Sequence, residues 1–179
     1  MLNPATTSAR VENRALKQVQ GDGKGARFTM ADHFATIEWR SDGGFREGRY
    51  SRAHSLSFDG GAVVPGSSSP HVVPPPMSDP AGVDPEEALV ASASACHMLW
   101  FLHVAREAGL DVAAYRDEAR GTMGKDERGK MAMIRIVLRP DIAFVGQTPD
   151  ADALDRLHHE AHERCFIANS LFTEIVVER

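Results

Sequence analysis

An α+β fold with a mainly antiparallel sheet is what this sequence predicts, on three observations. Two segments, residues 84–108 and 148–165, have the length and apolar spacing of helices. Short alternating or β-branched segments occupy 35–39, 50–58, 112–123, 131–145 and 171–178. The strands come in groups, set apart from the helices rather than alternating with them one by one, which separates α+β from a parallel α/β design.

Taken in order, residues 1–29 are polar, punctuated by Gly and without sustained periodicity, and are expected to form a disordered or loosely attached extension. A single folded domain is expected over 30–179. Residues 35–39 and 50–58 read as a hairpin joined by the Gly-rich segment SDGGFREG. The stretch GSSSPHVVPPPMSDPAGVD, from Gly66 to Asp84, is irregular because its prolines exclude both helix and central strand. Asp84 is a good N-cap, Pro85 suits the first helical position, and Glu87 stands in capping-box register. Gly109 supplies a left-handed stop. The middle of this helix (Ala95, Cys96, Met98, Leu99, Trp100, Phe101, Leu102) is apolar around nearly its whole circumference, so protein should enclose it on most sides.

Residues 112–123 and 131–145 read as two long strands joined by the KDERGK turn, with Pro140 at a bulge or edge in the second. Thr148 and Pro149 open the next helix. There Leu154, Leu157, Ala161 and Cys165 share one face, which turns Cys165 toward the core. The chain closes on a strand over 171–178.

At 179 residues the chain suits one domain with a real core, and its 42% hydrophobic and 25% charged content are those of an ordinary globule. A net charge of -5 with no basic stripe argues against nucleic acid or an anionic membrane surface. No apolar run is expected to span a membrane and no signal peptide is evident, so the cytosol is the expected compartment. Structural disulfides are unusual there, which inclines the two cysteines, Cys96 and Cys165, toward catalysis or sensing. The plain alternative is a pair of inert buried thiols.

PEEALVASASACHM followed by a long apolar helix, and later ERCFIANSLFTEIVVE, together resemble the OsmC/Ohr family of osmotically inducible and organic hydroperoxide resistance proteins. The likeness runs from about Phe34 to Glu178. The resemblance implies an OsmC-like fold, an intertwined homodimer in which antiparallel sheets wrap two central helices. It also implies thiol-dependent reduction of organic hydroperoxides. Cys96 would attack the peroxide and become a sulfenic acid, and Cys165 would resolve it as a disulfide. A dithiol reductant, with a dihydrolipoyl protein as one candidate, would return both thiols.

Cys96 lies about three turns into its helix, beyond the reach of the helix dipole, so its thiolate needs a cation. The family supplies an arginine from the early hairpin. Arg52 is the first candidate, because a residue within the second strand is held by packing, and Arg46 and Arg49 are the others. Glu86 matches the family glutamate that grips this arginine, since a carboxylate takes a guanidinium fork bidentately. Ten residues of straight helix nevertheless separate Glu86 from Cys96 by about 15 Å. Either the segment bends or the site borrows residues from a second subunit.

His158 and His162 stand four apart on the second helix and Cys165 three further on, a spacing that suits metal ligands. No fourth ligand is at hand, and surface or packing roles suit these histidines better. His97 points about 100° away from Cys96 around its helix. His54 shares a strand face with Arg52. No Walker loop, dinucleotide fingerprint or nucleophile elbow is present, so neither cofactor nor metal is expected. The competing class is a non-catalytic OsmC-like domain that binds a small ligand or a metal in the same dimeric pocket.

Overall fold

Among the described residues the chain forms three small sheets and two helices, and their order follows local sequence signals closely at the helices and less so at the strands. The structure is a computed structural model that describes residues 31–178 of the 179. The extension expected over 1–29 lies outside the described residues. From Phe34 onward the chain forms one unit.

The first sheet is an antiparallel meander of β1 (Ala35–Glu38), β2 (His54–Phe58) and β3 (Val63–Gly66). Ile37 lies opposite Leu56, and Leu56 opposite Val64. The expected hairpin is present, but its second strand begins at His54 and not at residue 50. Arg52 is therefore not a strand residue. The loop between β1 and β2 instead folds on an aromatic cluster. The Phe45 and Tyr50 rings stand 4.8 Å apart and those of Trp39 and Tyr50 5.6 Å apart, while Trp39 Nε1 donates to the Ser51 carbonyl at 2.8 Å.

The segment between β3 and the long helix has no regular element beyond one bridge, Gly66 to Val83. Helix α1 spans Pro85–Glu107. Asp84 accepts from the Glu87 amide at 2.7 Å, and the Glu87 carboxylate accepts from the Asp84 amide at 3.1 Å, completing the expected capping box. Such a cap contributes about 1 kcal/mol. Gly109, at φ +75°, ends the helix in the left-handed conformation that costs other residues most.

The two long strands expected next are each broken near the middle. The chain forms β4 (Asp111–Asp117), β5 (Arg120–Lys125), β6 (Met131–Leu138) and β7 (Pro140–Val145). β4 pairs with β7, and β5 with β6. One long hairpin thus bends into two sheets, with Pro140 opening β7 rather than interrupting a continuous strand. The pin at the bend is Asp117, whose carboxylate accepts from the Arg139 amide at 2.6 Å and from the Ser94 hydroxyl of α1 at 2.5 Å. Just beyond the bend, β5 presses on α1. A Cβ added at Gly121 would lie 2.5 Å from Val90, so only glycine admits this approach.

Helix α2 covers Ala151–Arg164 and starts three residues later than Thr148 suggested. Asp150 is its cap, accepting from the Ala153 amide at 2.7 Å. After a short 3-10 turn, β8 (Glu174–Val177) lies parallel to β6. The core has two centres. Phe101, Val104 and Ala105 of α1 meet Leu157 and Ala161 of α2, and Ala93 meets Ile136 and Leu138 of β6.

One expectation about α1 is corrected. The helix is long and apolar enough, by length and composition alone, to cross a membrane, because its alanines keep the average hydropathy high across polar Ser94 and His97. In this structure it packs on α2 and β4 instead. Even so, only 28% of its most apolar window is buried, and Ala91, Ser92, Ala95 and Leu99 form an exposed stripe with Leu99 62% exposed. A single chain does not enclose α1.

Candidate active site

The site is built where α1 and α2 cross. Cys96 lies mid-helix on α1 and is half-buried; Cys165 follows the last turn of α2 and is 1% exposed. Cys165 leaves the helix with extended backbone, its amide still donating to His162 O at 3.0 Å. Its sulfur accepts from the Ala168 amide at 3.4 Å. The two thiols interact, and burial first, then the neighbouring Cys96 side chain, pushes the Cys165 thiol up to about 11. Cys165 is thus a protonated thiol at neutral pH.

Around the thiols the surface is apolar. Trp100, one turn after Cys96, meets Phe166, the residue after Cys165, edge-on at 5.5 Å. Arg164, the cation next to Cys165 in the chain, stands over Trp100 at 5.9 Å. It is held by Glu160 at 2.7 Å and Glu107 at 3.0 Å, so its charge is already matched.

Of the residues the sequence pointed to, the structure brings Cys96 and Cys165 together. Arg52 is fixed elsewhere. Its amide donates to Met77 O at 2.9 Å, its guanidinium donates to Tyr50 O at 2.6 Å, and the same group lies 3.8 Å above the Tyr50 ring. The strand argument for Arg52 fails, but a firmer anchorage replaces it, whereas Arg46 and Arg49 sit exposed in the loop. Glu86 lies in the first turn of α1, and among the described residues no ion pair joins it to Arg52. It lines an open groove of about 1310 Å³ beside α1 that also takes in Val90, Ser94, Met98, Met123 and Met133. Cys96 does not line that groove. The large cavity and the thiol pair are therefore separate features of one chain.

Behind the cysteines lies a pair that the sequence did not join, His158 being expected in a surface or packing role and His97 only to point away from Cys96. His97, 1% exposed, and His158, 5% exposed, stack at 10° with ring centroids 5.4 Å apart, and His97 Nε2 lies 3.1 Å from His158 Nδ1. His158 in turn stacks on Phe101 at 4.6 Å. Spacing held a signal for it: 154, 158, 161 and 165 follow one another at helical intervals as regularly as 154, 157, 161 and 165 do. His54, at the start of β2, directs Nδ1 to the Arg52 carbonyl at 2.8 Å. Among the described residues, no group of three or more His, Cys, Asp or Glu side chains is placed to hold a metal.

Burial, then the charges of His158 and His162, lower His97 to about 4. A histidine with a depressed pKa binds its proton more readily unfolded, so stability is full above about 6.5 and falls as pH drops toward 4. The expected loss across that window is about 3 kcal/mol. Urea unfolding at pH 7, 5 and 4 should show it in wild type and not in His97→Gln.

The family model for OsmC-like proteins matches residues 78–178. A Vibrio cholerae protein described as OsmC-like and of unknown function is 47% identical, over 83% of this chain and 99% of its own, with a TM-score of 0.81. An organic hydroperoxide resistance protein of Elizabethkingia anophelis matches over 85% of this chain and 99% of its own, at 18% identity and a TM-score of 0.62. Another, from Bacillus subtilis, matches over 83% and 97%, at 19% identity and a TM-score of 0.61. At those identities the last two share the fold. No curated protein matches this sequence.

Proposed function

Because the chain belongs to the OsmC-like family, we propose that it is a cysteine-based peroxidase that reduces organic hydroperoxides. The observation that carries the reading is the pairing of Cys96 with Cys165 as interacting thiols, one half-buried and reachable, the other buried. An apolar rim of Trp100 and Phe166 suits an organic peroxide better than a small polar one.

The Cys96 thiolate attacks the distal oxygen of the hydroperoxide. A sulfur–oxygen bond forms, the O–O bond breaks, two electrons pass from sulfur to the peroxide, and the alkoxide leaves as alcohol after taking a proton. Cys96 becomes a sulfenic acid. The Cys165 sulfur then attacks the Cys96 sulfur, and hydroxide departs with the Cys165 proton as water, leaving a disulfide. A dithiol reductant, a dihydrolipoyl protein being one candidate, restores both thiols by exchange. That cycle suits a reducing compartment such as the cytosol.

The same reading assigns Arg52 to the thiolate and Glu86 to the arginine, both reaching the site across a homodimer. The exposed stripe on α1 and the exposed Phe34, Ile37 and Val63 of the first sheet and its approach support an intertwined dimer. Sedimentation at micromolar concentration should give a dimer; a folded, active monomer would remove the cross-subunit site.

One equivalent of cumene hydroperoxide tests the activity. Both free thiols should disappear and the intact mass should fall by two hydrogens, as a disulfide requires. Unchanged thiols and mass would sink the peroxidase reading and leave a domain that binds a small ligand, for which the methionine-lined groove is the candidate pocket.

A further inference from the structure

We propose that the uncharged His97–His158 pair is a positioning element that holds the Cys165 end of α2 in disulfide-forming register with Cys96. The proposal deepens the peroxidase reading and rests on it for the identity of the oxidant.

Geometry supplies the argument. A disulfide needs α-carbons within about 7 Å, and a helix advances about 5.4 Å per turn, so a slip of one turn in α2 would take Cys165 out of range. Besides the apolar packing of Phe101, Val104 and Ala105 on Leu157 and Ala161 and the exposed Arg164–Glu107 ion pair, two contacts beside the sulfurs set that register. One is the thiol pair itself, which cannot brace itself while its sulfurs are changing partners. The other is His97–His158, with His97 next to Cys96 in sequence and His158 about two turns before Cys165. Phe101 beneath His158 and Leu157 beside it seat the pair in the core.

Proton counting shows why the pair works only when neutral. His97 Nδ1 is buried and has no hydrogen-bond partner. The shared bond needs one N–H and one lone pair, which the neutral pair supplies from His97 Nε2 and His158 Nδ1 in either sense. A proton added to the pair puts three hydrogens on the two rings; the shared bond takes one, so another is forced onto partnerless His97 Nδ1. Other titratable groups near the helix are engaged elsewhere or lie beyond the pair. His162 lies one turn further along α2; Tyr115 of β4 packs on Phe101, and Asp117 is taken by Ser94. Arg120 of β5 lines the groove, and Arg135 and Arg139 pair with Glu174 and Glu178.

The experiment separates attack from closure in the full-length protein. After one equivalent of cumene hydroperoxide at pH 7, loss of the Cys96 thiol reports attack, and disulfide mass against dimedone-trapped sulfenic acid reports closure. His97→Leu should attack at the wild-type rate, close at least about tenfold more slowly, and accumulate sulfenic acid. His97→Gln, whose amide nitrogen can replace Nε2 as a neutral donor, should close within about twofold of wild type. Should His97→Leu fail to fold, His158→Phe keeps the ring on Phe101 and removes Nδ1, and it should slow closure likewise. Closure at the wild-type rate in His97→Leu or in His158→Phe overturns the proposal, as does His97→Gln closing as slowly as His97→Leu. Diamide provides the independent arm. Cys96 adds across its N=N bond and Cys165 displaces the hydrazine, giving the disulfide without a peroxide. If wild type ignores hydroperoxide yet the diamide closures rank in the same order, the peroxidase reading fails and the positioning role stands. If diamide closure is equal in all three proteins, the positioning role fails.

Discussion

Cys96→Ser protein should consume no hydroperoxide above the uncatalysed background, while Cys165→Ser should consume one equivalent per chain and then stop. The asymmetry follows from the site. Cys96 is the half-buried, reachable sulfur, whereas Cys165 is 1% exposed and held as a thiol by burial and by the neighbouring Cys96. A thiolate is the nucleophile, so the sulfur that peroxide cannot approach is not the attacker. With Cys165 gone, the sulfenic acid has no resolving partner and persists or is oxidised further. A peroxide assay at substoichiometric and excess oxidant, with intact mass, reads both outcomes. Full single-turnover consumption by Cys96→Ser would reverse the roles.

Phe101→Ala should lose about 3–5 kcal/mol of stability, a large share of the ~5–15 kcal/mol that holds a domain together. Phe101 is fully buried at the α1–α2 crossing, between the Tyr115 ring at 5.7 Å and the His158 ring at 4.6 Å. Removing it opens a cavity that two helices and a strand would have to collapse into. Denaturant unfolding at fixed protein concentration measures the loss, since any self-association would otherwise enter the result. A change under about 1 kcal/mol would mean the core repacks around alanine far better than a rigid crossing permits.

Most of the helical framework was legible in the sequence because it is written locally. Asp84, Pro85, Glu87 and Gly109 bound α1 through contacts no more than a few residues long. The apolar spacing of α2 put Cys165 toward the core, as observed. What escaped is decided by distant partners. Nothing near residue 118 announces that two long strands break there; the break is pinned by Asp117 bonding to Ser94, 23 residues back, and to Arg139, 22 residues on. The short β3 was not among the expected strands; it carries Pro65, which is tolerated because β3 lies at the sheet edge. The sequence allowed His158 a packing role, yet its partner His97 is one that only the fold can supply.

The candidate site divides in the same manner. Its cysteines and the arginine-bearing loop were visible as a pattern of residue types. The meeting of the two thiols was not, because it depends on the angle at which two helices cross. Arg52 was favoured for belonging to a strand, and its real restraint is the ring and carbonyl of Tyr50 two residues before it.

The parallel pairing of β8 with β6 has a consequence for how the chain reaches this state. β5 and β6 are neighbours in sequence and can zip as soon as both exist, but the other edge of β6 stays open until α2 and the turn after Cys165 have found their places. That edge carries Ile136 and Leu138, among the most deeply buried side chains of the finished protein. Early in folding they line an unpaired strand margin, the kind of template on which chains join one another instead of themselves. The docking of α2 therefore does double duty in time. It is the step that aligns the sulfurs, and it is also the step that ends the interval in which the nascent sheet is sticky.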